Sequence, residues 1–263
     1  MLPALPVLAE VTTLHARVTG ALARHVIDAE RTQTRVAFPR EADLCQQLGV
    51  SRTVLRESMK VLADKGMVEM KRRAGTRSRP RSEWHLLDPD ILGWQAEAHP
   101  DAQFLRDLCE VRLAIEPTAA GYAAVRATQQ EIEAIQGLLD AREAKTASSK
   151  ADDIIQLDLS FHTAVVAASH NPLLEQLTSI IREPFRTALA CTSRFRSTVE
   201  LGLDAHHALV ECLRRREPLG ARRAAEQIVG LAMLAVEKAI TSETRGRSGQ
   251  TAAARQHGGN SNE

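Results

Sequence analysis

Asp158 and His162 stand four residues apart, and His206 follows on a later stretch with Asp204 and His207 beside it. Residues four apart share one face of an α-helix. One carboxylate and two imidazoles, Asp158, His162 and His206, converging in a helix bundle form a donor set for a divalent metal. The same set holds a carboxylate or polyol ligand through water. From spacing alone the plainer alternative is a surface ion pair. His207 is turned about 100° from His206 on a helix and is a poor substitute. A second chemistry lies nearer the start of the chain. Ser51, Arg52, Thr53 and Arg56 gather at the opening of one helical pattern, and Lys71 to Arg81 holds six basic and no acidic residues. Arginine reads guanine edges bidentately, and serine and threonine contact phosphates or bases. A run of positive charge adds attraction to a phosphate backbone.

These groups need elements to hold them. Thr12 or Thr13 is placed to cap a first helix running to about Asp28, with Leu14, Val18, Ala21, Leu22 and Val26 at helical spacing. Phe38-Pro39 precedes a helix over Glu41 to Leu48, whose Leu44 and Leu48 share a face, and Gly49 suits the positive φ that ends it. Ser51 is placed to cap the next helix, which buries Val54, Leu55, Met59 and Leu62 and stops at Asp64-Lys65-Gly66. Met67, Val68 and Met70 read as a strand and Ala74-Gly75-Thr76 as a turn, while Arg77 to Arg81 suits a wing tip or linker. Two helices joined by a short turn and followed by a basic hairpin make a winged helix-turn-helix, whose second helix enters the major groove by its first turns.

Beyond Ser82 the pattern changes. Trp84 and Trp94 flank Leu86-Leu87-Asp88-Pro89-Asp90, an ordered linker with a short helix from about Asp90. Helices are expected near 102–125, 128–146, 150–170, 172–195, 198–216 and 218–241, with breaks at Asn171-Pro172 and Glu217-Pro218. Residues 242–263 have no apolar period and are expected as a disordered tail. The fold class is therefore mainly α. A winged helix-turn-helix domain (1–81) and a linker (82–101) lead to an all-α bundle (102–241).

Charge divides along the same line. Residues 1–81 carry 15 Lys/Arg against 8 Asp/Glu, and residues 82–263 carry 19 against 25. A basic module joined to an acidic one suits a nucleic-acid reader joined to a module of another kind. Aromatic content of 3% leaves the core to Leu, Ala, Val and Ile, which favours helices. Cys45, Cys109, Cys191 and Cys212 fall in no pairwise motif, as expected of reduced cytoplasmic cysteines. No apolar run reaches the roughly 18 residues of a membrane span, and no secretory leader is evident.

The segment PREADLCQQLGVSRTVLRESMKVLADKGMVEMKRRAGT resembles the N-terminal domain of GntR-family bacterial transcription regulators. The resemblance implies operator contacts by Arg52, Thr53 and Arg56. Ala42 stands where the family often has an arginine, with Arg40 nearby, and Arg73 replaces a wing glycine. Arg40, Ser51, Arg72 and Arg73 thus join the expected DNA contacts. The segments FLRDLCEVRLAIEPTAAGYAA, DLSFHTAVVAASHNPLLEQL and AHHALVECLRRREPLGARRAAEQI resemble the helical FCD effector domain of the FadR-type branch. There the resemblance implies an effector site of Arg112, Asp158, His162 and His206, with Arg112 on the effector carboxylate. A structural ion pair of Arg112 with Glu110 or Glu116 is the alternative. It also implies a divalent metal, zinc or similar, on Asp158, His162 and His206. Ile228 stands where the family usually has one more histidine, so a site completed by water or an effector carboxylate is the alternative. SEWHLLDPDILGWQAE is similar to the linker of D-galactonate catabolism regulators, which implies a sugar-acid effector. Together these imply a cytoplasmic homodimeric repressor of a double-stranded DNA operator, not an enzyme. The competing readings are an activator, a regulator answering an amino acid or other organic acid, and a metal-dependent enzyme on a DNA-binding anchor. The last lacks an HExxH pattern, a Gly-rich phosphate loop and a convincing third metal ligand.

Overall fold

The computed structural model describes residues 13–71, 75–98, 102–145, 151–191 and 202–257. The chain forms two compact units, Met1–Ala98 and His99–Glu263.

In the first unit, α1 (Leu14–Arg31) is capped by Thr13, whose hydroxyl accepts from Ala16 N at 3.2 Å. Val18, Leu22 and Val26 recur every fourth residue and are buried. α2 (Glu41–Leu48) ends at Gly49, whose φ of 65° is left-handed. It buries Leu44 and Cys45, whereas Leu48, expected on the same face, is exposed. α3 (Arg52–Asp64) is capped by Ser51, which accepts from Val54 N at 3.3 Å. Leu55, Met59 and Leu62 line its buried face against Leu22, Val26, Met67 and Val68.

The hairpin pairs β1 (Val68–Lys71) with β2 (Gly75–Ser78), Val68 opposite Ser78 and Lys71 opposite Gly75. Arg77 and Ser78 are therefore strand residues, not the wing tip or linker expected. Gly75 and Thr76, expected in a turn, are strand residues too, and Ala74 lies outside the described residues. The reason is that both edges of β2 find backbone partners. On the side away from β1, Phe38 N donates to Thr76 O at 3.0 Å and Ser78 N to Val36 O at 2.9 Å. Ser78 Oγ also accepts from Val36 N at 2.9 Å.

The stretch expected as a linker packs into the first unit. A 3₁₀ turn (Arg81–Glu83) leads to Trp84, which is buried and donates Nε1–H to Arg79 O at 3.0 Å. Asp88 caps α4 (Pro89–Glu97), accepting from Asp90 N at 3.0 Å and Ile91 N at 3.3 Å, with Pro89 at the first position. Ile91 and Ala98 complete the core. Burying two large apolar side chains, Trp84 and Ile91, outweighs the freedom a linker would keep. Gly66 secures this junction. Its φ is +76°, and a Cβ there would lie 2.3 Å from the Glu83 carbonyl oxygen. Gly66→Ala is expected to cost about 2–3 kcal/mol, combining backbone strain with displacement of the 3₁₀ turn. Equilibrium urea unfolding measures it, and an unchanged midpoint would count against this account.

The second unit is all helix: α5 (Ala102–Arg126), α6 (Gln129–Glu143), α7 (Ala151–Ala167), α8 (Pro172–Cys191), α9 (Leu203–Arg214) and α10 (Pro218–His257). Thr128 and Glu131 form a reciprocal capping box at the start of α6. The expected breaks lie at Asn171-Pro172 and Glu217-Pro218. Asn171 Oδ1 accepts from Leu173 N at 3.1 Å, and His170 and Arg216 adopt positive φ. Ala120, Ala123 and Ala124 of α5 share one core with Ile132, Ile135 and Leu139 of α6, Phe161 of α7, Leu209 and Leu213 of α9, and Ala221, Ala225 and Ile228 of α10. Alanines on α5 and α10 let these two long helices approach closely. α10 continues to His257, past Ser242, where a disordered tail was expected. Ala252 to Ala254 are strong helix formers, and the helix has already been nucleated upstream. Among the described residues no helix is long and apolar enough to cross a membrane.

Candidate functional site

On the first unit, Arg40, Ser51, Arg52 and Thr53 are all exposed at the helix-turn-helix. Arg52 makes no ion pair among the described residues. Arg56 is exposed too, but its Nε is 2.9 Å from Glu41 Oε2, so α2 orients it. Glu41 is the residue that sequence reasoning missed here. On the hairpin Lys71 pairs with Glu69 at 2.9 Å and Arg77 is exposed. Arg72 and Arg73 lie outside the described residues.

In the second unit, α5, α7 and α9 bring the separated polar residues together. Asp158 and His162 lie one turn apart on α7, and His206 comes from the first turns of α9. His206 Nε2 is 3.3 Å from Asp158 Oδ1, and His162 Nε2 is 3.7 Å from Asp158 Oδ2. The two imidazoles stand 5.5 Å apart, nearly edge to face. Both are buried, at 6% and 2% exposure, so a surface ion pair is excluded. His207 instead faces out and pairs with Glu143, and His170 pairs with Glu131.

The hydrogen bonds define the ring states. His206 Nδ1 lies 2.6 Å from Gly202 O. A carbonyl only accepts, so Nδ1 carries the proton. His162 Nδ1 lies 2.7 Å from Glu116 Oε2 and likewise donates to it. Each Nε2 then has no hydrogen-bond partner and points toward a carboxylate oxygen. A lone pair facing a carboxylate is repelled by it, and a cation held between the two removes the repulsion. One ligand atom from each of Asp158, His162 and His206 lies within 4.8 Å of the others. A histidine held by a carboxylate or carbonyl through its other nitrogen is the usual support for a metal ligand. These three residues therefore fit a divalent ion as a three-ligand set. Ile228 adds no donor and is buried in the apolar core.

Glu116 links this cluster to Arg112. The Arg112 guanidinium makes a bidentate contact with Glu116, Nε to Oε1 at 2.5 Å and Nη2 to Oε2 at 3.3 Å. Its face stacks on Phe185, 4.3 Å from the ring centre. Arg112 and Glu116 are both under 5% exposed. The structural ion pair considered from the sequence is thus present, at Glu116. Burial alone would raise the Glu116 carboxyl, but Arg112 and His162 outweigh it and hold it down to about 2. Burial opposes ionisation of Asp158 too, yet the His206 contact and the charges of His162, His206 and Arg142 hold it well below the usual carboxylate range. Burial pushes the neighbouring Cys109 thiol up to about 11, which leaves it an inert packing group.

Beside this network lies a narrow gap of about 10 Å³, room for roughly one water molecule and open toward solvent, lined by Arg112, Glu116, His162, Thr163, Arg182 and Phe185. Three of these, Thr163, Arg182 and Phe185, were not anticipated, and neither was Arg142, which contacts Asp158. Only Arg142 left a trace in the sequence. It falls on the apolar stripe of Ile132, Ile135 and Leu139, where a charge is out of place.

The chain has recognisable relatives. Residues 15–77 match the gntR family of bacterial regulatory proteins, and residues 107–231 match the FCD domain. The galactonate operon transcriptional repressor of Escherichia coli K12 is 33% identical over 189 residues, 72% of this chain and 82% of that protein. The Uxu operon transcriptional regulator of the same strain is 30% identical over 206 residues, 76% of this chain and 72% of its own. The Glc operon transcriptional activator, also of that strain, is 31% identical over 199 residues, 73% and 77% of the two chains. Among solved structures, Lar, described as controlling the Listeria monocytogenes agr system, aligns with a TM-score of 0.58 over 87% of this chain and 99% of its own, at 16% identity. That likeness concerns the fold alone.

Proposed function

This chain belongs to the GntR family of bacterial regulatory proteins, with an FCD domain in its second unit, and is a DNA-binding regulator of transcription; from that premise we propose that it is a cytoplasmic repressor released from its operator by a small carboxylate, a sugar acid such as an aldonate. The observation that carries the effector reading is the buried polar network of Arg112, Glu116, His162 and Asp158 beside an open gap. A bundle core admits so many ionisable groups only where their charges serve one another or a ligand. The similarity to a galactonate operon repressor supports both the acid and the sign of regulation. Its family and relatives are regulators, so the reading as an enzyme is set aside.

Arg40, Ser51, Arg52, Thr53 and Arg56, with Arg72 and Arg73, contact the operator. Two copies of the chain present two reading heads to a two-fold related site. Arg112, Asp158, His162 and His206 hold the effector. If a divalent metal is held, Asp158, His162 and His206 are its ligands, and it supplies a Lewis-acid contact for the effector carboxylate. His162 and His206 keep their Nε2 atoms aimed inward through Glu116 and Gly202. The effector lowers operator affinity by binding better to the form that grips DNA weakly, and operator DNA weakens effector binding by the same factor.

Fluorescence anisotropy with DNA from upstream of the chain's own gene tests this. D-galactonate and related aldonates should release the operator, and release by none of them while an amino acid succeeds would redirect the assignment. Arg52→Ala is expected to lower operator affinity by about 1–3 kcal/mol and to leave binding to random DNA nearly unchanged. An equal loss on both would make Arg52 a phosphate contact only.

A further inference from the structure

We infer that Arg142 is a built-in cation at Asp158, filling the charge role of a metal, so that a divalent ion occupies this site only by displacing the guanidinium. The inference rests on the reading of Asp158, His162 and His206 as a ligand site. It begins with the placement of Arg142 on α6. Ile132, Ile135, Leu139 and Arg142 follow one another at spacings of three or four along the buried face. The Arg142 side chain is 3% exposed. A guanidinium cannot lose its proton and cannot be buried without an acceptor of opposite charge. Asp158 supplies the opposite charge, with Arg142 Nε 3.1 Å from Oδ1, an ion-pair contact rather than a hydrogen bond.

That oxygen is the one His206 Nε2 faces at 3.3 Å. Any dication bound through Oδ1 therefore lies next to a fixed positive charge in a largely buried setting, with the Arg142 side chain 3% and that of Asp158 19% exposed. Like charges at such range in a low dielectric repel strongly. A fourth protein donor would offset this, but Ile228 is an aliphatic member of the bundle core. The donor group among the described residues stops at three. The physical outcome is a site whose carboxylate is neutralised internally. It stays assembled without metal, and it leaves the two imidazole Nε2 atoms for protons or for a ligand's hydroxyl groups. Metal affinity is then set by Arg142 more than by the histidines.

Zinc titrated into chelator-dialysed full-length protein, followed by calorimetry, tests this. The wild type should bind Zn²⁺ weakly, and Arg142→Gln, which keeps a hydrogen-bond donor but removes the charge, should bind it at least tenfold more tightly. Arg142→Lys, which keeps the charge, should match the wild type. Equal affinity of the wild type and Arg142→Gln, or zinc that survives dialysis on the wild type, overturns the inference. Binding by neither chain overturns it as well. If Arg142→Gln folds poorly, Zn²⁺ should raise its melting temperature and leave that of the wild type unchanged, and failure of that rescue counts equally against it. Adding Asp158→Asn separates the two readings. Zinc binding that persists in Arg142→Gln/Asp158→Asn places the ion elsewhere and removes the site itself. Equal binding by wild type and Arg142→Gln, abolished by Asp158→Asn in each, keeps the site and removes only the role of Arg142.

Discussion

Arg112→Ala is expected to destabilise the second unit by about 3–5 kcal/mol, because it leaves the Glu116 carboxylate buried without its cation. The loss has two sources. The bidentate contact with Glu116 disappears, and the face of Phe185 loses the guanidinium stacked on it. Urea unfolding followed by circular dichroism will show it as a lower midpoint at similar slope. Arg112→Met combined with Glu116→Leu should recover much of the loss, since a buried pair replaced by apolar groups of similar volume is often neutral. An Arg112→Ala midpoint equal to that of the wild type would mean that the pair does not carry the local structure.

This changes how the residue is tested as an effector contact. Loss of effector response in the alanine variant would be ambiguous, because the variant also loosens His162 through Glu116. Arg112→Lys is the cleaner probe. It keeps the charge beside Glu116 but has no planar fork to share between Glu116 and a ligand carboxylate. It should leave operator binding intact and weaken release by the effector about tenfold, roughly the 1.4 kcal/mol of one charge-assisted hydrogen bond. Release at wild-type effector concentration would take Arg112 out of the ligand site and leave it a structural residue.

Acid should dismantle the second unit through the same carboxylates. Glu116 is held down to about 2 in the folded chain, against 4.5 ordinarily. A depressed folded value means that the stabilisation is fully present above the unfolded value and is lost as pH falls through the folded one. The Glu116 contribution is therefore complete above about pH 4.5 and fades toward pH 2, on the order of 3 kcal/mol in all. Asp158 shifts in the same direction, for the same kind of reason, and adds to the loss on the acid side. Scanning calorimetry of the whole chain between pH 7 and 3 should show a steep fall in the melting temperature of one transition. In Glu116→Gln that fall should be shallower, although the variant is less stable at pH 7. Parallel curves for the two proteins would assign acid sensitivity to other carboxylates.

Much of the fold was legible from local rules. Thr13 and Ser51 lie at helix N-termini, Gly49 supplies a left-handed residue at the end of α2, and Pro172 and Pro218 open the helices after chain breaks. Each is a short-range effect, decided by a side chain and the backbone within four residues of it. Two of the errors, at β2 and around Trp84, fell where partners are distant in sequence. β2 is a strand because Val36 and Phe38, some forty residues earlier, hydrogen-bond to its far edge. The stretch around Trp84 is core because α1 and α3 of the same unit offer it an apolar surface.

The site divides in the same way. Spacing by itself could place Asp158 beside His162, because a helix has one pitch. The sequence by itself also determined that a basic reading head precedes an acidic helical half, since charge and period are properties of composition and order. Only the tertiary structure decided that His206 completes the pair, that Glu116 rather than Glu110 holds Arg112, and that Arg142 reaches Asp158. Those contacts join different helices or one rotamer among several. Their energies depend on burial, which no window of sequence contains.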